Sequence, residues 1–106
     1  MTPPDDAVVE PRCARCQCWL GWVRRIAHEE SEALWLELAV RRKLPTGRGS
    51  FPYRVPVQPD AHTAYRCRRC GVLLDIDHSA LIRPAEWARP GKPIPLGVHP
   101  HSPANR

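Results

Sequence analysis

The chain has 106 residues, of which 42% are hydrophobic, and it carries a formal net charge of +5. A chain of this length forms one small domain. Its longest apolar run is too short to cross a membrane, and the acidic first six residues do not make a signal peptide. We therefore expect a cytoplasmic protein with no membrane partner, and no motif for a small-molecule substrate is evident.

Prolines are concentrated at both ends of the chain, which contains 13 Pro and 6 Gly in all. Proline removes a backbone donor, and it interrupts helices and central strands. We therefore predict a disordered leader at residues 1–10, an ordered domain at 11–83 and a flexible Pro-rich tail at 84–106. A domain of this size buries a modest core and generally needs an additional stabilising element such as a metal ion.

Two Cys-x-x-Cys pairs supply that element. Two thiolates separated by two residues can bind one metal ion within a tight turn, and two such turns supply the four sulfurs of a tetrahedral zinc site. Cytosolic thiols stay reduced, and five cysteines are an odd number for a disulfide scaffold. We predict one structural Zn²⁺ and no catalytic residue, with four ligands: Cys13, Cys16, Cys67 and Cys70.

Cys18 is the fifth cysteine, and its role has two interpretations. It can replace Cys16 as a ligand, because Cys-x₄-Cys spacing also occurs in zinc sites. We favour a small buried hydrophobic residue beside Trp19. Trp19, Trp22 and Trp35 are interpreted in the same way, as core filling around the metal. Trp87 lies in the predicted tail, where it either anchors a partner or packs back on the domain.

The sequence between the cysteine pairs predicts strands. Residues 22–27 read as a short strand. Leu34, Leu36 and Leu38 alternate with period two, which favours a second strand over residues 33–40, paired with the first in a hairpin. The Leu, Ala and Glu content of that segment also permits a helix. Residues 41–64 form a long connection with a predicted edge strand at 53–55, and strands at 64–66 and 71–76 flank the second cysteine pair.

The second cysteine pair, with its flanking residues 65–74, resembles the strand–Cys-x-x-Cys-Gly–strand knuckle of zinc-ribbon proteins. Gly71 follows the second ligand, where a turn with positive φ suits glycine, whereas the first pair lacks this glycine. The resemblance implies a small, mainly β, metal-stabilised fold. Its architecture would be zinc-ribbon-like with two knuckles, a long inserted segment and disordered Pro-rich ends. Zinc ribbons recur in transcription and translation machinery, which implies a role by analogy.

Basic residues suggest where a partner binds. Four bound thiolates and a divalent ion lower the charge of the loaded protein to about +3, which is mildly basic. The candidate contacts are the basic residues of the long connection and of the second knuckle: Arg41, Arg42, Lys43, Arg48, Arg68 and Arg69. We predict a non-enzymatic accessory or regulatory factor that binds nucleic acid or a nucleic-acid-processing complex such as the transcription machinery. The alternative is a protein-only module, such as an inhibitor from a phage or mobile element.

An enzyme is the less favoured alternative. Cys67-x-x-Cys70-Gly71 followed by Asp77-His78 resembles HNH-type nucleases, in which such a histidine serves as general base near a catalytic metal. The chain departs from that pattern because its other cysteine pair lies upstream, and because the later Asn and His are missing at suitable spacing.

Overall fold

The computed structural model describes residues 2–39 and 53–101, without the side chain of His28. Within this part the chain forms seven strands and one helix. In chain order they are β1 (Ala7–Cys13), β2 (Gly21–His28), β3 (Ser31–Leu38), β4 (Tyr53–Pro56), β5 (His62–Arg66), β6 (Leu73–Asp77), α1 (His78–Trp87) and β7 (Ile94–Val98). The described part is therefore mainly β, as the sequence predicts.

Five of the strands form one sheet in the order β4-β3-β2-β1-β7, and β5 pairs with β6 in a separate hairpin. The pairing of β1 with β7 is parallel, and all other neighbours are antiparallel. The chain beyond β7 runs along β6, where the Asp75 amide donates to the His99 carbonyl at 3.1 Å and His101 donates to Leu73 at 2.7 Å. These bonds join the hairpin to the larger sheet.

The hydrophobic core lies between one face of the large sheet, the hairpin and the helix. Val23 and Leu36 are fully buried on neighbouring strands of the sheet, and Leu74 and Leu81 are buried on β6 and α1. Full burial of such a side chain contributes about 1.5 to 3 kcal/mol. The opposite face of the sheet carries a chain of ion pairs, in which Arg24 contacts Asp6 at 2.7 Å and Glu37 at 3.1 Å.

The predicted hairpin of residues 22–27 and 33–40 is confirmed as a strand pair over the described residues. Strands β2 and β3 pair from Gly21 opposite Leu38 to His28 opposite Ser31. The alternation of leucines decides the structure because Leu36 and Leu38 point to the core, while Glu37 between them lies on the opposite face. The predicted edge strand is also confirmed, since β4 lies at the margin of the sheet beside β3.

The prediction of a disordered leader is wrong for residues 7–10. These residues form the first part of β1, and Ala7, Val8 and Val9 are fully buried. The apolar run gains its order from both neighbours, because β1 lies between β2 and β7 in the sheet. The acidic composition of the preceding residues does not reveal that long-range pairing.

The predicted flexible tail is likewise wrong over residues 84–101, where the structure contains the end of α1 and all of β7. Proline is tolerated in both elements. Pro84 lies in the second half of α1, and Pro95 lies in a strand at the edge of the sheet, where a missing N–H costs little. Residues 102–106 lie outside the described part of the chain.

The helix α1 was not anticipated from the sequence. Asp77 caps its first turn, since its carboxylate accepts from the Ser79 amide at 3.0 Å. His78, Leu81 and Ala85 form the buried stripe of the helix. No helix in residues 2–39 or 53–101 has the length and apolar character needed to cross a bilayer.

The backbone of β3 leaves no room for a side chain at Gly21 of β2. A Cβ at this position would lie 2.0 Å from the Glu37 carbonyl oxygen, which belongs to the backbone and cannot rotate away. We expect Gly21→Ala to lower the free energy of unfolding by about 3 kcal/mol or more, measured by urea titration with excess zinc. Gly97→Ala is the control, because its Cβ meets only the Ala14 side chain at 3.6 Å. Equal stability of the two variants would contradict this prediction.

Candidate metal centre

Four cysteine sulfurs converge where the end of β1 meets the β5–β6 hairpin. Cys13 and Cys16 come from the first pair and Cys67 and Cys70 from the second, and their Sγ atoms all lie within 4.8 Å of one another. Cys13 and Cys67 are buried, Cys16 is half-buried and Cys70 is exposed. This grouping can hold one metal ion, and it is the only such group of His, Cys, Asp or Glu side chains in the described part.

The first knuckle is a tight turn closed by two backbone hydrogen bonds. The Cys13 amide donates to the Cys18 carbonyl at 2.9 Å, and the Gln17 amide donates to the Cys13 carbonyl at 2.7 Å. Gln17 adopts φ of 66°, in the left-handed region. The turn thus brings two thiols to one side over only four residues.

The second knuckle repeats the same bonds at the same spacing. The Cys67 amide donates to the Val72 carbonyl at 2.9 Å, and the Gly71 amide donates to the Cys67 carbonyl at 3.0 Å. Gly71 adopts φ of 77° at the position that Gln17 occupies in the first turn. The missing glycine in the first pair therefore does not change the turn, since Gln17 takes the left-handed conformation in its place.

The closest sulfur pairs join the first cysteine of one knuckle to the second cysteine of the other. Cys13 Sγ lies 3.8 Å from Cys70 Sγ, and Cys16 Sγ lies 3.5 Å from Cys67 Sγ. The first cysteine of each turn is therefore next to the second cysteine of the other. The two turns come from different parts of the fold, since the first follows β1 and the second joins β5 to β6.

Burial acts to raise the pKa of two of the cluster thiols, and hydrogen bonds from backbone amides act to lower it. Burial raises the pKa of Cys16 to about 12. Burial also acts to raise the pKa of Cys67, but the amides of Cys70 and Arg69 stabilise its thiolate and lower its pKa to about 6. The lowered pKa of Cys67 favours its thiolate, which is the form that binds metal.

Cys18 lies outside the group of four sulfurs. Its thiol contacts the Trp19 carbonyl at 3.4 Å and is half-buried against the core. The residue contributes to the first knuckle through its backbone, because its carbonyl accepts from Cys13. The cluster of mutually close sulfurs contains Cys16 and not Cys18.

Aromatic packing accompanies the first knuckle. The rings of Trp19 and Trp22 lie 5.4 Å apart between centroids, and Trp22 is buried. The Arg68 guanidinium lies 5.9 Å from the centre of the Trp19 ring, which is the range of a cation–π contact. Residues of both knuckles thus contact each other beside the sulfurs.

Three arginines are exposed on the tips of the knuckles. Arg68 and Arg69, two of the predicted partner contacts, lie between the two cysteines of the second turn, and Arg15 occupies in the first turn the position of Arg69 in the second. Arg15 was not among the predicted contacts, although the repeated spacing of the two turns gives it the same position as Arg69. The other four predicted contacts, Arg41, Arg42, Lys43 and Arg48, lie outside the described residues.

The Asp77-His78 pair has structural contacts in this fold. Asp77 caps α1, and His78 is 2% exposed. The Gln58 amide donates to His78 Nδ1 at 3.3 Å, and Thr63 Oγ1 lies 2.6 Å from His78 Nε2. Burial lowers the pKa of His78, which keeps the imidazole neutral. The side chain ties the start of α1 to β5 and to the loop before it.

No protein-family model matches the chain, and neither a curated protein nor a solved structure matches it significantly. Interpretation of the centre therefore depends on its own geometry.

The left-handed residues of the two knuckles lead to paired predictions. A non-glycine residue pays about 1 kcal/mol or more for this conformation. We expect Gln17→Gly to raise the free energy of unfolding by about 0.5 to 1 kcal/mol. Gly71→Ala should lower it by about 1 kcal/mol, without a steric cost because the new Cβ has open space. Urea titration of the metal-loaded protein measures both changes.

The control for this pair is Gln58→Gly. Gln58 is exposed and lacks the positive φ, so glycine there should destabilise the protein through the entropy of the unfolded chain. Destabilisation by Gln17→Gly of the same size as by Gln58→Gly would show that the first knuckle gains nothing from a left-handed residue.

Proposed function

We propose that the four cysteines bind one structural Zn²⁺, and that the protein acts by binding a macromolecular partner rather than by catalysis. A tetrahedral ion with Zn–S bonds of about 2.3 Å requires sulfur–sulfur distances of about 3.8 Å. The two facing pairs lie at 3.8 and 3.5 Å, which is the observation that carries the zinc proposal. Four protein sulfurs leave no open coordination position for a substrate or an activated water.

The exposed arginines suggest that the partner is nucleic acid or a complex that processes it. Arg15, Arg68 and Arg69 are exposed on the two knuckles, with Arg68 also lying over the Trp19 ring, and Arg12 and Arg66 precede the knuckles. A loaded four-thiolate centre carries about two negative charges, so these five guanidiniums leave the local surface basic. Exposed arginines recognise phosphates through bidentate hydrogen bonds. An accessory or regulatory factor that contacts nucleic acid is consistent with this surface.

The environment of His78 supports a non-enzymatic role. A general base must reach the proton it abstracts, either directly or through one water. His78 is buried and hydrogen-bonded at both ring nitrogens, so the nuclease alternative would require α1 to move away from β5.

A protein partner is the second candidate, and Trp87 is the observation that favours it. Its side chain is 78% exposed at the end of α1, whereas Trp22 is buried. Exposed tryptophans are enriched among the residues that dominate protein interfaces. Four residues after Trp87, the Gly91 amide donates to the carbonyl of Ala7, the first residue of β1. The Trp87 segment therefore approaches the end of β1 that is opposite to Cys13. The seven residues of β1 span roughly 20 Å between these two ends.

Metal analysis tests the first part of the proposal. Protein purified without added metal should contain one equivalent of zinc, and elemental analysis distinguishes zinc from iron, which four thiolates also bind. Structural zinc supplies about 10 kcal/mol or more of apparent binding energy, comparable to the stability of a small domain. We therefore expect Cys70→Ser to unfold most of the chain by circular dichroism.

Cys18→Ser is the matched control for that loss. It removes a thiol outside the cluster and should leave the metal content at one equivalent, with only a small change in stability. A folded wild-type chain without metal would contradict the proposal. Greater damage from Cys18→Ser than from Cys70→Ser would show that the ligand set is wrong.

The salt dependence of binding tests the nucleic-acid surface. We expect retention of short oligonucleotides that weakens between about 50 and 200 mM salt. Replacing Arg68 and Arg69 together by Ala should weaken binding and flatten the log–log salt slope by about 1.4 for single strands and 1.8 for duplexes. The zinc content of the double variant must remain unchanged for this comparison.

A variant with Arg83→Ala and Arg89→Ala is the control, because it removes the same charge from the Trp87 end of the molecule. Equal effects of the two double variants would indicate a response to net charge alone. Two results together would replace the nucleic-acid proposal with the protein-partner candidate. The first is that neither single-stranded nor duplex oligonucleotides bind. The second is that a protein partner, captured from nuclease-treated lysate by the wild-type chain, is not captured by Trp87→Ala.

A further inference from the structure

Each knuckle is preceded by an arginine that bonds to the far end of the same turn. Arg12 Nη1 donates to the Gln17 carbonyl at 2.9 Å, and Arg66 Nη1 donates to the Gly71 carbonyl at 2.7 Å. In both cases the arginine stands immediately before the first cysteine, and the acceptor stands immediately after the second. The contact therefore spans the whole turn from outside its two ligands.

The acceptor in each contact is the residue with left-handed backbone. The amides of Gln17 and Gly71 are bonded to the carbonyls of Cys13 and Cys67, respectively. The arginine holds the carbonyl of the same residue, so donor and acceptor of that residue are both fixed. A charged donor makes this bond stronger than a neutral one. The two peptide groups on either side of that residue are thereby each held in place by one hydrogen bond.

We propose that Arg12 and Arg66 are equivalent positioning residues of the metal centre, and that they control how quickly the metal is lost. Neither residue is a ligand. Each forms a hydrogen bond across the ends of its knuckle. Each also places one positive charge close to a centre that carries about two negative charges when the metal is bound. Partners beyond the ligands typically change metal affinity by about 10- to 100-fold. This inference depends on the proposed metal site.

The exposed arginines of the knuckle tips do not make this contact. Arg69 is exposed on the same turn as Arg66, and no hydrogen bond from its side chain to the turn occurs among the described residues. Arg69→Ala therefore removes the same charge without removing the bond across the knuckle. Arg66 gives a cleaner test than Arg12, because Arg12 also pairs with Glu10 at 2.6 Å.

The test is the rate at which the full-length, zinc-loaded protein transfers its metal to an excess of a chromogenic chelator. We expect Arg66→Ala and Arg12→Ala to accelerate transfer by about 10- to 100-fold, and Arg69→Ala to change it little. Arg66→Lys retains a charged donor and should restore much of the slow rate. Circular dichroism establishes that every variant is folded when transfer begins.

The absorption spectrum of the Co²⁺-substituted protein provides a second readout. Its ligand-field bands report the geometry of the four sulfurs, and we expect them to shift in Arg66→Ala but not in Arg69→Ala. If Arg66→Ala does not fold, Arg66→Lys and Arg66→Gln carry the test, with faster transfer expected for the uncharged variant.

Equal transfer rates for Arg66→Ala and Arg69→Ala would overturn this inference, as would unchanged rates in both. Either result leaves the proposed metal site intact. A wild-type chain that takes up neither Zn²⁺ nor Co²⁺ would instead overturn the proposed function and this inference with it. The two failures are therefore distinguishable.

Discussion

The convergence of four sulfurs from two distant turns constrains the rest of this structure. Cys13 and Cys70 are 57 positions apart in the chain, yet their sulfurs lie 3.8 Å apart. One turn ends a strand of the large sheet, and the other closes the β5–β6 hairpin. A metal ion bound there would connect the large sheet to the β5–β6 hairpin. Residues 99–101 also connect them, through backbone hydrogen bonds to β6. The buried leucines fill the space between.

The repetition of one turn in two unrelated settings shows which of its features matter. Both knuckles have the same pair of backbone bonds, a left-handed residue after the second cysteine and an arginine before the first. They differ in the residue that takes positive φ, and in the sheet to which they belong. Ligand placement therefore depends on the closed backbone loop rather than on glycine or on the surrounding sheet.

Local patterns in the sequence predict the parts of this fold that depend on local contacts. The spacing of the cysteines identifies the four sulfurs, and alternating leucines identify the β2–β3 hairpin. The order of residues 7–10 and 94–98 depends on a parallel pairing between the two ends of the chain, which neither segment encodes alone. The prolines of Ile94–Val98 led to the prediction of a flexible tail. The segment nevertheless forms a strand, because it lies at the edge of the sheet, where few of the hydrogen bonds that proline removes are needed. Asp77 was interpreted as part of a nuclease-like pair, although its position before an apolar stripe is typical of a helix cap.

The parallel pairing of β1 with β7 also affects the order in which this chain acquires its structure during synthesis. Residues 7–13 leave the ribosome well before residues 94–98, which form the strand that covers one of their edges. Until that strand is made, Val8 and Val9 belong to a segment with one unpaired edge, and such an edge can pair with another nascent chain. Pairing between segments so far apart in sequence slows folding, and it can be completed only after residues 94–98 have been made. Chaperones that shield apolar strands should therefore bind the nascent chain before β7 emerges.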